Sequence, residues 1–244
     1  MAHTSSLSFS VGAPWEIFRS QSNITNGRIV DLYTKSGSVG QYNSLLILLP
    51  DYGVTISILT AGTGGDVVSI AADMVVQAFL PVLEQVSKDQ DCRRVCGTYS
   101  SSQDSKSNST LVLEEDEGPG LVIRKWTNNG VDILSAAQQY SNASGGGLLK
   151  SIRLYATNRV SNRTEPGSGS FRVIAYRAVF ETIPTTSRGQ RIFDPEIGTW
   201  QKVDTLMYGN IASDDFEIHF DSNGFATAVE PRVLRKMFVR QLKD

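Results

Sequence analysis

The side chains best suited to chemistry in this sequence lie in the tripeptide Lys35-Ser36-Gly37. Lys35 carries a permanent cation at neutral pH, and Ser36 offers a hydroxyl group that both donates and accepts hydrogen bonds. Gly37 leads into a Gly/Ser-rich turn that ends before Tyr42. A lone tripeptide of this kind is a weak signal, so its meaning depends on the elements that position it.

Three consecutive strands are predicted around the tripeptide. Tyr33–Gly37, the apolar run Tyr42–Leu49 and Val54–Leu59 are separated by turn sequences, of which Pro50–Gly53 is the clearest. They predict an antiparallel β-meander. The run Leu45–Leu49 does not alternate with polar residues, so we expect this strand to be covered on both faces.

Four sequence elements in order resemble the fungal β-lactamase-like proteins, which are related to the penicillin-binding serine hydrolases. The elements are Pro14–Ile17 (PWEI), Tyr33–Gly37 (YTKSG), Pro50–Tyr52 (PDY) and Leu59–Gly62 (LTAG). Such a series is far more specific than the tripeptide alone. The family also carries a β-rich domain after its hydrolase domain, so the resemblance extends over nearly the whole chain and corresponds to the C-terminal portion of such a protein.

The resemblance implies a role for each residue of the motif. Lys35 would meet a substrate carboxylate, Ser36 would donate its hydroxyl, and the backbone amide of Ser38 would contribute to an oxyanion hole. Lys35 and Ser36 are thus the candidate catalytic residues, either vestigial or repurposed. The candidate substrate-binding residues are Tyr33, Gly37, Ser38 and Tyr42.

The family's nucleophile motif, Ser-x-x-Lys, does not occur in these 244 residues, because no serine stands three residues before a lysine. Tyr140-Ser141-Asn142 matches a second family pattern as letters, but it follows Lys35 in the chain and is taken as a coincidence. Covalent acyl transfer by the family's route is therefore not expected from this polypeptide alone.

The predicted fold class is α+β. After the meander, apolar residues from Val67 to Phe79 recur at helical spacing, with Asp66 as N-cap. Pro81 is expected to break this helix and to begin a second segment that reaches about Lys88. Residues 1–90 are therefore assigned to a truncated β-lactamase-like region of sheet and helix, with residues 1 to about 12 weakly held.

Residues 91–244 are predicted to form an all-β barrel or sandwich of about eight antiparallel strands, because short apolar runs alternate with turn signals. Val131–Ala136 is among the expected strands. Cys92 and Cys96 are expected to be small packed residues where the helix ends, although a disulfide between them remains open.

No cofactor and no metal are predicted. His219 alternates with apolar neighbours, which places it on the solvent face with Glu217 and Asp221, and His3 lies near the start. The acidic runs Glu114–Glu117 and Asp214-Asp215 lack the spacing of a calcium loop and are expected to be solvated.

The composition excludes several classes of partner. The net charge is −2 and no basic block occurs, which argues against nucleic acid as a partner. No uninterrupted apolar stretch reaches ~18 residues, so no membrane span is predicted. The start lacks a secretory signal, which indicates a cytoplasmic protein, whereas four Asn-x-Ser/Thr sequons, at Asn23, Asn108, Asn142 and Asn162, suggest secreted ancestry.

Three functions are compatible with these observations. The first is a repurposed, nucleophile-less protein that binds an apolar small molecule, with a leaning toward a cofactor-independent cyclase or isomerase of fungal natural-product chemistry. The second is a β-lactamase-like serine hydrolase or esterase that a missing N-terminal half completes. The third is a non-catalytic binding module. A sheet face left bare by the absent half would have to bind a ligand, the β-rich domain or a second copy of the chain, as in a homo-oligomer.

Overall fold

The computed structural model describes residues 2–3, 8–20, 28–62, 66–101, 108–144, 147–165, 169–183 and 203–241. These residues separate into two compact units. The first comprises residues 1–89 with 117–119, and the second comprises residues 90–116 with 120–244. Each unit has its own sheet and its own hydrophobic core.

The first unit contains a six-stranded antiparallel sheet in which every strand pairs with its neighbour in the chain. Its strands are β1 (Ala2–His3), β2 (Phe9–Gly12), β3 (Trp15–Arg19), β4 (Asp31–Val39), β5 (Tyr42–Leu49) and β6 (Val54–Ala61). The meander of β4, β5 and β6 agrees with the sequence-based prediction. The expectation that residues 1 to 12 are weakly held is wrong for β2, because Phe9–Gly12 pairs along its length with β3.

The two faces of β5 differ, contrary to the expectation that both are covered. Ile47 and Leu49 are almost fully buried in the core of this unit. Leu46 and Leu48 point to the opposite face, because successive side chains of a strand alternate, and both are only half-buried. The non-alternating apolar sequence therefore reflects one buried face and one partly open face.

Helix α1 runs without interruption from Val67 to Val95. The prediction that Pro81 separates two helices is wrong. Leu80 is fully buried on one side of the proline, and Leu83 packs against the same core on the other. Packing on both sides outweighs the loss of one backbone hydrogen bond at the proline.

A charged cluster fastens α1 to the segments at one end of strands β4, β5 and β6. Arg28 donates to Glu84 at 3.1 Å and to Asp51 at 2.5 Å, and its guanidinium lies 5.6 Å from the ring centroid of Tyr52. Tyr52 also donates its hydroxyl to Glu84. Burial, together with the neighbouring Glu84 carboxylate, raises the pKa of Tyr52 well above its usual range, so the phenol stays protonated and remains a donor.

Among the described residues, α1 is the helix whose length and composition would allow it to cross a membrane. This is weak evidence for a span, because core helices of soluble proteins meet the same criterion. The absence of a membrane span stays a prediction.

The second unit is built around a closed antiparallel barrel. Its strands are β7 (Gly97–Ser100), β8 (Thr110–Glu114), β9 (Leu121–Asn128), β10 (Val131–Asp132), β11 (Leu148–Glu165), β12 (Gly169–Ile183), β15 (Asp215–Phe220), β16 (Ala226–Pro231) and β17 (Phe238–Arg240). A separate hairpin joins β13 (Met207–Tyr208) to β14 (Ile211–Ala212). Eight strands form the ring β9-β11-β12-β15-β16-β17-β7-β8, which closes because β8 pairs with β9, while β10 adds to β9 from outside.

The interior of this barrel is filled by large side chains. Tyr99, Phe216 and Phe238 are fully buried, and the rings of Trp126 and Phe216 meet edge to face with centroids 5.2 Å apart. Alternation along each strand directs these residues inward. The molecule is thus mostly β-structure with two described helices, and of the two predicted alternatives, barrel and sandwich, the second unit is a barrel.

Helix α2 (Ile133–Ala143) replaces most of the strand predicted over Val131–Ala136. Asp132 caps the helix by accepting hydrogen bonds from the backbone N–H groups of Leu134 and Ser135. These bonds, with the Ser135 hydroxyl as the largest contributor, lower the pKa of Asp132. The capping aspartate was present in the sequence, but the apolar residues around it resembled a strand.

The predicted solvent exposure of His219 and Glu217 is wrong. Both lie on the outer face of β15, as alternation requires, yet both are buried. Phe171 of β12 stacks on the His219 ring at 5.2 Å, and Arg163 of β11 binds Glu217 at 2.7 Å. The long β11–β12 hairpin therefore covers this part of the outer face.

Cys92 and Cys96 form a disulfide where α1 ends. This resolves the open alternative in favour of the bonded pair and corrects the expectation of two free, packed cysteines. The bond closes a loop between residues only four apart in sequence. The Cys96 carbonyl accepts a hydrogen bond from Arg240 at 2.7 Å, so the barrel's strand β17 is fixed to the same point.

Candidate functional site

The Lys35-Ser36-Gly37 motif lies on the second half of β4, beyond the part of the strand that is buried. Thr34 is buried and donates its hydroxyl to the Glu16 carbonyl of β3 at 2.8 Å. Lys35, Ser36 and Gly37 are exposed. The local pattern of the strand, apolar first and polar afterwards, thus anchors one end and presents the motif at the other.

Glu16 of β3 binds both side chains of the motif. The Lys35 ammonium donates to a Glu16 carboxylate oxygen at 2.7 Å, and the Ser36 hydroxyl lies 3.3 Å from the other oxygen. The register of β3 and β4, which places Glu16 opposite Thr34, brings these groups together. Hydrogen bonding from Lys35 is the largest cause of a lowered pKa for the Glu16 carboxyl group.

Gly37 and Ser38 form the exposed end of the strand. A Cβ atom on Gly37 would lie 2.9 Å from the hydroxyl oxygen of Ser44 on β5, so a larger residue would displace that side chain. Ser38 pairs with Asn43, so its backbone lies next to the turn that joins β4 to β5. This position is compatible with the amide role that the resemblance implies for Ser38.

Tyr33 and Tyr42 flank the charged group on β4 and β5. Tyr33 is half-buried and pairs across the sheet with Ile17 and Leu48. Tyr42 is 70% exposed at the start of β5 and pairs with Ala61. The structure therefore brings together Lys35 and Ser36 with Glu16, whereas neither tyrosine takes part in the hydrogen bonds of these three side chains.

Glu16 is the residue of this site that sequence reasoning missed. It belongs to the Pro14–Ile17 segment that carried part of the resemblance, and that segment was expected to be extended. The signal that could have identified it is charge complementarity between two neighbouring strands, because residues facing each other across an antiparallel pair interact.

The chemistry open to this arrangement is binding rather than nucleophilic attack. A serine nucleophile needs an adjacent base with a pKa near neutrality. The partner of Ser36 is Glu16, whose carboxyl pKa is held below its ordinary value and which is therefore a weak base. The exposed cation, hydroxyl and backbone amides suit the recognition of an anionic or carbonyl-bearing ligand.

A separate cavity of about 490 Å³ lies in the second unit, between α2, β9 and β11. Its apolar wall includes Val122, Leu134 and Leu149, and its polar wall includes Arg124 and Arg153. The volume is in the range of small-molecule sites, ~300–1,000 Å³. None of the sequence-predicted site residues lines it.

Comparison with known proteins shows fungal relatives. A β-lactamase-like protein of Arthroderma benhamiae is 28% identical over 258 residues, covering 98% of this chain and 43% of its own length. The probable hydrolase M10 of a Phoma species is 26% identical over 138 residues, and the probable hydrolase clz13 of Cochliobolus lunatus is 25% identical over 141 residues. Each of these two alignments covers 56% of this chain and less than a quarter of the relative, at 23% and 22%.

The chain therefore spans less than half the length of the curated relatives it matches. No solved structure matches the chain. The model of the family described as "Beta-lactamase-like-like, C-terminal domain" matches residues 87–241, which is more than half of the sequence. With the meander, the exposed Lys-Ser-Gly strand and the fungal β-lactamase-like relative, this match shows that the chain belongs to the β-lactamase-like C-terminal-domain family.

Proposed function

We propose that this chain supplies the substrate-binding wall of a β-lactamase-like serine hydrolase whose nucleophile comes from another polypeptide segment. The observation that carries the proposal is the exposed Lys35–Ser36 end of β4, held by Glu16 at 2.7 Å from the lysine. The names of the relatives, one β-lactamase-like protein and two probable hydrolases, support the same reaction class.

In this function Lys35 exchanges one carboxylate partner for another. Glu16 occupies the lysine in the unliganded chain, and a substrate carboxylate or carbonyl oxygen would compete for the same ammonium. The side chain of Lys35 is 45% exposed and that of Glu16 is 34% exposed, so a ligand can reach both. An exposed ion pair is worth only ~0–1 kcal/mol, which keeps the exchange inexpensive.

The remaining contacts would be made by Ser36 and by the backbone of Ser38. The hydroxyl of Ser36 can turn from Glu16 toward a bound oxygen, because its contacts of 3.3 and 3.4 Å are long for a hydroxyl donor. An amide N–H aimed at a developing oxyanion is typically worth ~2.7–4 kcal/mol in the barrier. The chain would thus contribute orientation and electrostatics, and the other segment the covalent chemistry.

Active-site labelling tests this function. The purified 244-residue chain is incubated with a fluorescent penicillin and with a fluorophosphonate, and its intact mass is measured. We expect no adduct on this chain. A longer product of the same gene, or the chain mixed with the segment that carries Ser-x-x-Lys, should form the adduct on that segment's serine.

A Lys35→Met variant of the assembled enzyme tests whether Lys35 binds the substrate. Its kcat/KM for a carboxylate-bearing substrate should fall by ~10- to 100-fold, as expected when one charged hydrogen bond is lost. Arg159→Met, which removes an exposed cation of the second unit that does not line the cavity, is the matched control. An adduct on the isolated chain, or unchanged kcat/KM in Lys35→Met, would refute the proposal.

A second candidate function is favoured by the 490 Å³ cavity, whose mixed lining of apolar and charged side chains suits a small molecule with an apolar part and a polar group. In its catalytic form this would be a cofactor-independent cyclase or isomerase; otherwise the unit is a binding module. Polyene and terpenoid probes are titrated into the chain and into Leu134→Trp, which fills the cavity. Retention without turnover would identify a binding module, conversion of the probe would identify an enzyme, and equal behaviour of both proteins would exclude the cavity.

A further inference from the structure

Three side chains on the outer face of the barrel form a cluster with metal-binding chemistry. Glu217 and Glu230 stand opposite each other on β15 and β16, and His219 lies two residues from Glu217 on the same face. Each side chain offers one ligand atom, and all three atoms lie within 4.8 Å of one another. We propose that Glu217, His219 and Glu230 bind a divalent transition metal of the zinc class.

The imidazole of His219 is held in place for this role. Its ring stacks on Phe171 with an interplanar angle of 15°, and its Nε2 atom lies 3.9 Å from a carboxylate oxygen of Glu230. This separation is too long for a hydrogen bond. It is close to the ~3.4 Å between two ligands of a tetrahedral zinc ion with bonds of ~2.1 Å, so a shift of about half an ångström would complete the contact.

The carboxylates of the cluster supply the negative charge that a dication needs, although two arginines lie beside Glu217 and a bound ion would compete with them. Glu217 and Glu230 together bring two negative charges, and a neutral imidazole adds none. Arg163 donates to one oxygen of Glu217 at 2.7 Å, and Arg232 lies 3.8 Å from the same oxygen. A carboxylate has a second oxygen, so these arginines can orient Glu217 while it binds the ion.

The donor set selects among metals. One imidazole and two carboxylates suit zinc and its neighbours in the first transition row. Calcium prefers six to eight oxygen ligands, and magnesium prefers an octahedron of oxygens, neither of which three protein ligands with a histidine provide. Glu217 and His219 are buried, whereas Glu230 is about one-quarter exposed, which gives the ion a way in.

A bound metal would connect four strands of the barrel, two directly and two through the residues that hold its ligands. The ligands come from β15 and β16, while Phe171 and Arg163, which hold two of the ligands in place, come from β12 and β11. Metal binding to the native state alone raises stability by mass action. The site is distant in sequence from Lys35 and does not depend on the proposed hydrolase function.

Zinc titration tests the site. The chelator-treated 244-residue chain is titrated with zinc chloride by calorimetry, and its thermal unfolding is recorded with and without zinc. We expect one equivalent of zinc and a raised Tm. His219→Gln and Glu230→Gln should each weaken binding by at least about tenfold. The matched control, His3→Gln, removes the other histidine of the sequence and should bind zinc like the parent chain.

A measurement on the unmodified chain guards against variants that fail to fold. In a ¹⁵N-histidine-labelled sample, zinc should shift the ring nitrogens of one histidine, and His3→Gln identifies that histidine as His219. Absence of zinc binding, equal binding by His219→Gln, or a shift confined to His3 would overturn the proposal. Equally tight binding of calcium or magnesium would overturn the assignment to the zinc class.

Discussion

The two units of the chain differ in how they treat the unpaired edges and the apolar faces of their β-sheets. The second unit closes eight strands into a barrel, so each of those strands has a partner on both sides. The first unit keeps an open six-stranded sheet, with helix α1 against one face and Leu46 and Leu48 half-exposed on the other. Closure gives one unit a large core, and openness gives the other an accessible surface.

The position of the Lys35–Ser36 motif follows from this difference. An exposed strand end with a solvated ion pair is available to a ligand, whereas the interior of the barrel is filled with aromatic side chains. The barrel thus provides the larger packed core, and the open sheet provides the surface that a ligand can reach. Matched substitutions in the two units should therefore have unequal effects on stability.

Truncation of one buried leucine in each unit should show the largest effect. Leu154→Ala in the barrel should cost about 4–5 kcal/mol of unfolding free energy, and Leu80→Ala in α1 about 2–3 kcal/mol. The barrel strands are held on both sides and cannot collapse into the cavity, whereas a helix on an open sheet can shift toward it. Urea unfolding of each variant gives both values.

Single-tryptophan versions keep the two measurements separate. Trp126 reports on the barrel and Trp15 on the open sheet, while Trp200, which lies outside the described residues, is replaced by phenylalanine in both. Equal losses for the two leucines would contradict the idea that closure determines the cost.

Removal of the buried charge on α1 should have an intermediate effect. Glu84→Gln weakens the contacts with Arg28 and Tyr52, and we expect a loss of about 1.5–3 kcal/mol, typical of hydrogen bonds to charged groups. The control, Glu114→Gln, faces Arg124 with both side chains about half exposed and should change stability by less than ~1 kcal/mol. A smaller loss for Glu84→Gln than for the control would show that α1 is not fastened by this cluster.

The smallest effect on stability is expected at the candidate site itself. Because the folded-state pKa of Glu16 is lowered, its ionised form stabilises the native state at neutral pH, and this contribution is lost as the pH falls from about 4.5 through the lowered pKa. Glu16→Gln lacks the contribution. We therefore expect a difference below ~1 kcal/mol at pH 7 that disappears in acid, measured by urea unfolding at several pH values. A difference that grows in acid would mean that Glu16 is not paired with Lys35.

The sequence predicted features that depend on local pattern. The meander and most barrel strands follow from apolar runs bounded by turn residues, and the motif on β4 was located before its partner was known. Features that depend on distant residues were missed. His219 and Glu217 were placed on the correct face of their strand, but their burial by Phe171 and Arg163, respectively, arises from a hairpin some fifty residues earlier, at separations of 48 and 54.

In helices α1 and α2, local secondary-structure propensity also gave the wrong prediction. Asp132 is an effective N-cap, yet the β-branched and aliphatic residues beside it favoured a strand in isolation. Pro81 is a strong local signal for a break, and only the packing of Leu80 and Leu83 keeps the helix continuous. Tertiary contacts decided both cases, and they are not readable from a short window.

The placement of β17 has a consequence for the order in which the chain can fold. Residues 238–240 lie between β16 and β7, so the barrel's ring includes a pairing of residues about 140 positions apart, Val239 with Ser100 and Arg240 with Tyr99. Contacts of such high sequence separation form slowly and late during synthesis. All strands of the open sheet pair with their nearest neighbours in the chain. This sheet can therefore form on the ribosome before β17 has been synthesised and the barrel can close.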